Sequence, residues 1–122
     1  MTNHEAHGQI ALRFLSDSDR EFDEEDHLQA SEKLWGAAAH AVMALAIDRE
    51  WGECRTHREL KNAVKRLATE LDDDSFRAGF LAAEKFHKNF YHDEMEDFEI
   101  DDDRPTVHKF VHKTLGLTKG IQ

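Results

Sequence analysis

The sequence predicts an all-α protein, an antiparallel bundle of five helical segments in a single domain over residues 1–122. Three observations favour this fold class. The chain has one Pro and six Gly among its 122 residues, and strong helix formers dominate. Its apolar residues recur at helical spacing. Its length allows one hydrophobic core, and eight Phe and two Trp provide large apolar side chains to fill it.

The first two predicted helices run over residues 5–22 and 27–50. Residues 23–26 separate them, and their carboxylates suit the positive end of the second helix. Helix two is apolar on two opposite faces. One face holds Leu34, Ala38, Ala41, Val42 and Leu45, and the other holds Gly36, Ala37, His40, Met43, Ala44 and Ile47. We therefore expect this helix to be central in the bundle or to lie against a second chain.

Helices three and four are predicted from their caps and apolar stripes. Residues 56–59, with Thr followed three residues later by Glu, are typical of a capping box at the start of helix three, which runs to about Leu71. Asp74 or Ser75 is expected to cap helix four. The apolar stripe of helix four is predicted to contain Phe76, Phe80, Ala83, His87 and Phe90.

Helix five is predicted to begin at Arg104 and Pro105, because proline is favoured in the first turn of a helix. Gly116 would end it. The preceding residues 93–103 are predicted to be an acidic loop, and residues 117–122 a frayed, flexible tail.

Composition restricts the partners and the compartment. The net charge is -10, and a protein that binds a phosphate backbone by itself needs a basic stripe, which the sequence does not display. The acidic residues concentrate in segments 17–26 and 93–103, which suits solvated helix ends or docking to a basic partner protein. Cys54 is the only cysteine, so we expect no internal disulfide and a cytoplasmic location. No apolar run approaches the roughly 20 residues that cross a bilayer, so we expect no membrane association.

Two segments resemble a known family. Residues 29–42, QASEKLWGAAAHAV, resemble the start of the small archaeal repeat-element (PaREP) family, and residues 84–91, EKFHKNFY, look like its His-x-Asn-Phe-Tyr signature. With the order of helices, the resemblance covers residues 12–115. This family is similar to the wider HEPN group of antiparallel helical bundles, which are commonly dimeric nucleotide-binding partners or toxin ribonucleases. The resemblance implies a HEPN-like bundle and a homodimer, for which the second face of helix 27–50 is the expected contact.

The resemblance also directs attention to Arg104 and His108. Catalytic HEPN ribonucleases carry an Arg followed, after four to six residues, by a His near the start of a late helix. Here three residues separate Arg104 from His108 and seven separate it from His112, so both depart from that spacing. Arg20 and His27 fit the spacing but lie in the acidic first connection. Arg104 and His108 still share a helical stripe, where Arg104 could bind a phosphate and His108 could exchange a proton with a ribose hydroxyl. The alternative is that His108 and His112 are an exposed His pair beside an apolar face.

His87, Asn89 and Tyr91 of the signature segment are candidate binding residues. His87 falls within the apolar stripe of helix four, where a buried imidazole needs a hydrogen-bond partner. We expect a backbone carbonyl or a Glu of a neighbouring helix to be that partner. The alternative is a polar pocket that His87 and Tyr91 line together.

Two metal sites are conceivable and neither is favoured. Glu84-x-x-His87 and Glu24-x-x-His27 match the Glu-x-x-His pairs of a di-iron bundle, whose ligands project into the bundle core. The second pair lies at a helix start, where it is badly placed to complete such a ligand set. His108-x-x-x-His112 with His40 would make a three-His site, but His40 projects from the opposite side of its helix. We therefore predict no metal and no cofactor.

These features predict a HEPN-like regulatory module that binds a nucleotide, an RNA or a partner protein. Two alternatives stay open. One is a metal-independent ribonuclease of toxin–antitoxin type that uses Arg104 and His108, and the other is a metal-dependent helical-bundle enzyme. Cys54 has no sequence-local partner and is expected to be inert.

Overall fold

The computed structural model describes residues 2–120, which form five α-helices. They are α1 (Asn3–Asp23), α2 (His27–Asp48), α3 (His57–Leu71), α4 (Ser75–His92) and α5 (Asp97–Gly116). No strand occurs in this part of the chain, which confirms the all-α prediction. The bounds of the first four helices lie within two residues of the predicted ones. Among residues 2–120, no helix is long and apolar enough to cross a membrane.

One hydrophobic core draws on all five helices, and α2 is its centre. α2 packs against each of the other four helices, as its two apolar faces predicted. The largest fully buried apolar side chains are Phe86 of α4, Leu34 and Leu45 of α2, and Leu67 of α3. Full burial of one such side chain contributes about 1.5–3 kcal/mol. The central helix therefore fixes the positions of the polar residues that flank it.

α1 covers the second face of α2 within the same chain. A Cβ added to Gly36 would lie 2.8 Å from Cδ2 of Phe14, so α1 and α2 are in close contact there. His40 bonds to His7 of α1 through their Nδ1 atoms, 2.9 Å apart. Two further small residues of this face are fully buried, Ala37 and Ala44. The face that motivated a homodimer through helix 27–50 therefore packs in part against α1, and the homodimer itself stays a prediction.

The acidic segment before Pro105 is helical, so the predicted loop and the helix start at Arg104 are wrong. The carboxylate of Glu99 accepts a hydrogen bond from the backbone N–H of Glu96 at 3.1 Å. Carboxylates in a first turn also suit the positive N-terminal end of a helix. Ile100, 5% exposed, attaches this turn to the core. Pro105 consequently lies inside α5, where it removes one intrahelical N–H donor.

The ends of α3 and α4 differ in detail from their predicted caps. The hydroxyl of Thr56 accepts from the backbone N–H of Glu59 at 3.1 Å, as predicted. The carboxylate of Glu59, however, accepts from the N–H of Arg55. At α4, neither predicted cap makes a side-chain capping bond, and Asp73 instead accepts from the N–H of Ser75 at 2.9 Å. Short polar side chains near a helix start compete for the same N–H groups, so sequence alone does not choose among them.

The segment after α5 packs against α1, and the flexibility predicted for it stays a prediction. Thr118 is 2% exposed, and its hydroxyl donates to the carbonyl of Thr114 at 3.0 Å. Nε2 of His4 lies 2.9 Å from the carbonyl oxygen of Lys119. Residues 121–122 of the predicted tail lie outside the described residues.

Candidate functional site

Arg104 and His108 lie one turn apart on α5 and contact the same carboxylate oxygen of α1. Oδ1 of Asp19 is 3.2 Å from Nη2 of Arg104 and 2.9 Å from Nε2 of His108. The guanidinium of Arg104 also lies over the ring of Phe22, 4.1 Å from its centroid. The structure thus brings the two candidate catalytic residues together and adds Asp19. No local spacing in the sequence connects Asp19 to them.

This arrangement can orient a base but is poorly suited to an anion. A carboxylate that bonds one nitrogen of a His fixes the ring and leaves the other nitrogen for proton transfer. The open hollow beside the pair is lined by Asp101, Arg104, Pro105 and His108. Asp19 neutralises the charge of Arg104 and Asp101 adds a further negative charge, so a phosphate would meet repulsion there.

His87 of α4 bonds to a glutamate of the central helix. Its Nδ1 is 2.9 Å from Oε1 of Glu32, and its side chain is 30% exposed. Its ring stacks on Trp35 of α2, with centroids 4.8 Å apart and planes at 29°. A Glu of a neighbouring helix was one of the two partners expected for this imidazole. The exposure shows that His87 lies at the edge of the core rather than within it.

A second His–Glu pair lies beside the first. Nε2 of His57 is 2.6 Å from Oε2 of Glu84, and the ring of His57 stacks on Trp35 with centroids 5.1 Å apart. Trp35 therefore contacts two imidazoles, each bonded to a carboxylate. We call Trp35, His57, His87, Glu32 and Glu84 the aromatic cluster. Of these residues only Glu84 and His87 form a predicted sequence motif, because the cluster assembles from three helices.

The other two candidate binding residues point in different directions. Tyr91 is 67% exposed and meets His87 edge to face, with centroids 5.4 Å apart. Asn89 is 1% exposed, and its Nδ2 donates to the hydroxyl of Ser31 at 3.1 Å. Its Oδ1 accepts from the backbone N–H groups of residues 94–95 at 2.9 and 2.8 Å. The structure brings His87 and Tyr91 to one surface, whereas Asn89 joins the α4–α5 connection to α2.

The residues of the two conceivable metal sites bond elsewhere. Within residues 2–120, no group of three or more His, Cys, Asp or Glu side chains is arranged to hold a metal ion. Glu84 and His87 bond to His57 and Glu32, respectively. His40 bonds to the imidazole of His7, in a 2.9 Å contact.

The contact between His7 and His40 has room for one proton only. Their ring centroids are 5.1 Å apart while the two Nδ1 atoms are 2.9 Å apart, so the nitrogens point at each other. One ring donates and the other accepts. Burial lowers the pKa of His40, and the charges of His7 and Arg13 lower it further. Acid therefore opposes this contact between α1 and α2.

Cys54 lies in an environment that keeps its thiol protonated. Burial raises the pKa of Cys54, and the carboxylate of Glu59 raises it further. Its Sγ lies 3.7 Å from the backbone oxygen of Glu59. Because the thiolate is the reactive form, these surroundings disfavour a nucleophilic role.

A groove between α3 and α4 carries cations on this acidic protein. Its exposed rim contains Lys61, Lys65 and Arg77, and Leu81, 61% exposed, lies beside them. Buried Val64 and Phe80 form its floor. Among residues 2–120, none of the three cations forms an ion pair or a side-chain hydrogen bond, unlike Arg66 and Lys85 nearby. This groove cannot be recognised from a local pattern because two helices contribute to it, and its local signal is the pair of lysines one turn apart on α3.

The fold and these surfaces define a small all-helical bundle with an aromatic cluster, a cationic groove and an Asp-linked Arg–His pair. The chain belongs to the archaeal PaREP1/PaREP8 family, whose model matches residues 6–111 and so takes in residues of all five helices. This match confirms the resemblance to the PaREP family. No curated protein and no solved structure matches the chain.

Proposed function

We propose that this protein is a HEPN-like regulatory module whose α3/α4 groove binds an acidic protein segment. The observation that carries the proposal is the set of three cations around exposed Leu81, none of which is paired within residues 2–120, on a chain of net charge -10. Lys61 and Lys65 lie one turn apart on α3, where like charges destabilise a helix unless a partner neutralises them. An apolar side chain flanked by carboxylates complements both the cations and Leu81.

Among the ligands that the sequence left open, a protein segment suits the groove better than a nucleotide or an RNA. The phosphates of a nucleotide or an RNA would gain from the cations, but Phe80, the aromatic residue of the groove lining, is 3% exposed and gives a base no open ring to stack on. An extended polyanion would also meet the field of the remaining acidic surface. A short protein segment would contact only the groove and would therefore avoid the remaining acidic surface. The aromatic cluster, which shares Glu84 with the groove, would form the wall at one end.

We also propose that the chain is one HEPN-like, antiparallel domain. In support, residues of all five helices meet in one core. Three of the four connections are short: 24–26, 72–74 and 93–96. Short connections favour antiparallel neighbours in a bundle, because the chain has no length to return to the other end.

Fluorescence anisotropy with a short, labelled helical peptide tests the groove. The peptide carries one Phe, with Asp residues three and four positions later. We expect micromolar binding that weakens about tenfold or more in Leu81→Asp and in the double variant Lys61→Glu, Lys65→Glu. Lys88→Glu is the matched control, because Lys88 is an exposed cation of α4 outside the groove. Equal affinity for every variant would contradict the proposal, and binding of a single-stranded oligouridine lost in the same variants would assign the groove to nucleic acid.

A second candidate function is metal-independent RNA cleavage at Arg104 and His108. The observation that favours it is the carboxylate of Asp19, which holds the ring of His108 in place for proton transfer, although Asp19 and Asp101 oppose the binding of a phosphate there. With labelled RNA and a chelator present, we expect His108→Ala to lower any cleavage by about 10²-fold or more. His112→Ala is the matched control, since His112 is exposed on the same helix. Cleavage that survives substitution of both Arg104 and His108 would remove this site from consideration.

A further inference from the structure

A segment of the kind that fits the groove occurs in this chain, at the start of α5. Phe98 is 67% exposed, although α5 is otherwise attached to the core. Asp101 and Asp102 follow it by three and four residues and therefore share its face of the helix, and Asp97 precedes it. All three carboxylates are exposed. We call Asp97, Phe98, Asp101 and Asp102 the acidic knob.

The knob does not reach the groove of its own chain. Nζ of Lys85 lies 2.7 Å from Oδ2 of Asp103 and 3.9 Å from Oε2 of Glu99, which ties the first turns of α5 to α4. Ile100, 5% exposed, fixes the same turns in the core. Phe98 is thus held on a rigid helix with its ring in solvent. An occupant with these residues has to come from another molecule.

We propose that two copies of this chain associate by placing the acidic knob of each in the α3/α4 groove of the other. The inference rests on the proposed function of the groove and names its partner. Three exposed carboxylates of the knob meet the three cations of the groove, and the ring of Phe98 covers Leu81. In a two-fold arrangement the two contacts are identical and close the assembly, whereas a contact made in one direction only would extend into an open filament of copies.

The charge of the whole chain does not prevent this association. Two chains of net charge -10 repel each other at long range. Salt at physiological strength screens exposed charges beyond about 8 Å, whereas the charges of the knob and the groove come into direct contact. The contact also uses surfaces that the fold leaves exposed, unlike the second face of α2, against which α1 packs.

Sedimentation velocity of the full chain tests the inference. We expect a dimer at micromolar concentrations, with a dissociation constant that rises about tenfold or more in Phe98→Asp and in Leu81→Asp. Both side chains are mostly exposed, so the variants should keep the wild-type melting temperature, which circular dichroism verifies. A wild-type chain that stays monomeric, or a dimer that both substitutions leave unchanged, overturns the inference.

Charge reversal gives the sharper result. Lys61→Glu with Lys65→Glu, and separately Asp101→Lys with Asp102→Lys, should each weaken the dimer about tenfold or more, and all four changes in one chain should restore it. Asp23→Lys with Glu25→Lys is the matched control, because it changes the net charge equally at exposed acids outside the knob. Failure of the four changes to restore association overturns the inference.

The labelled peptide separates this inference from the function on which it rests. Peptide binding by a chain that stays monomeric leaves the groove with its proposed function and overturns only the pairing of copies. A wild-type chain that neither binds the peptide nor self-associates overturns the inference and the proposed function together.

Discussion

Replacement of the buried amide of Asn89 tests whether this residue supports the fold or a ligand. Asn89 is 1% exposed and makes three side-chain hydrogen bonds, one to Ser31 and two to backbone N–H groups of residues 94–95. Asn89→Ala removes all three at once. A donor or acceptor left unsatisfied in a protein interior costs about 1–3 kcal/mol, and water can replace part of the loss near the exposed connection.

We therefore expect Asn89→Ala to lower the free energy of unfolding by about 2–4 kcal/mol. In a domain of this size that corresponds to a fall in melting temperature of roughly 10 °C. Thermal and guanidinium unfolding, followed by circular dichroism, measure both quantities. Asn62→Ala is the matched control, since Asn62 is exposed on α3 and should change stability by less than about 0.5 kcal/mol. An Asn89→Ala protein with wild-type stability but no ligand binding would refute the reasoning.

Three further predictions concern packing, acid and the aromatic cluster. Gly79→Ala should lower the free energy of unfolding by about 1–3 kcal/mol, because the added Cβ would lie 2.7 Å from Phe110. Gly116→Ala is the control, since a Cβ there has no atom within 4 Å. Urea unfolding measures the stability of both variants. In the folded chain the pKa of His40 lies below its ordinary value of 6.5. The folded chain therefore binds fewer protons than the unfolded chain in acid, and its stability should fall as the pH drops through 6.5. His40→Gln should flatten this dependence, and an unchanged slope would contradict it. His87→Ala should lower stability by about 1–3 kcal/mol; a collapse of ligand binding at constant melting temperature would instead indicate a binding role.

The helices could be predicted because their signals are local, and the errors arose where a local signal had two meanings. The acidic run before Arg104 has the composition of a solvated loop, yet carboxylates also stabilise the first turn of a helix. Ile100 decides between these states by entering the core, which is a tertiary contact. Pro105 is also ambiguous, because proline is favoured in the first turn of a helix, yet here it lies well inside α5.

The candidate sites divide in the same way. Arg104 and His108 were placed together because four residues span one helical turn, whatever the rest of the fold does. Asp19 contacts them only because α1 packs beside α5, and no residue spacing in the sequence predicts this contact. The partner of His87 was anticipated as a class, a Glu of another helix. Its identity as Glu32 depends on how α4 lies on α2.

The sequence by itself determined the helical class, four of the five helices to within two residues, and the family. Apolar periodicity and helix caps involve residues within one or two turns of each other, so they can be recognised in the sequence. Only the tertiary structure decided that α1 covers the second face of α2 and that Lys61, Lys65 and Arg77 line one groove. The reason is that side chains from different helices meet at distances and angles that packing of the whole core sets, and no short stretch of sequence encodes that packing.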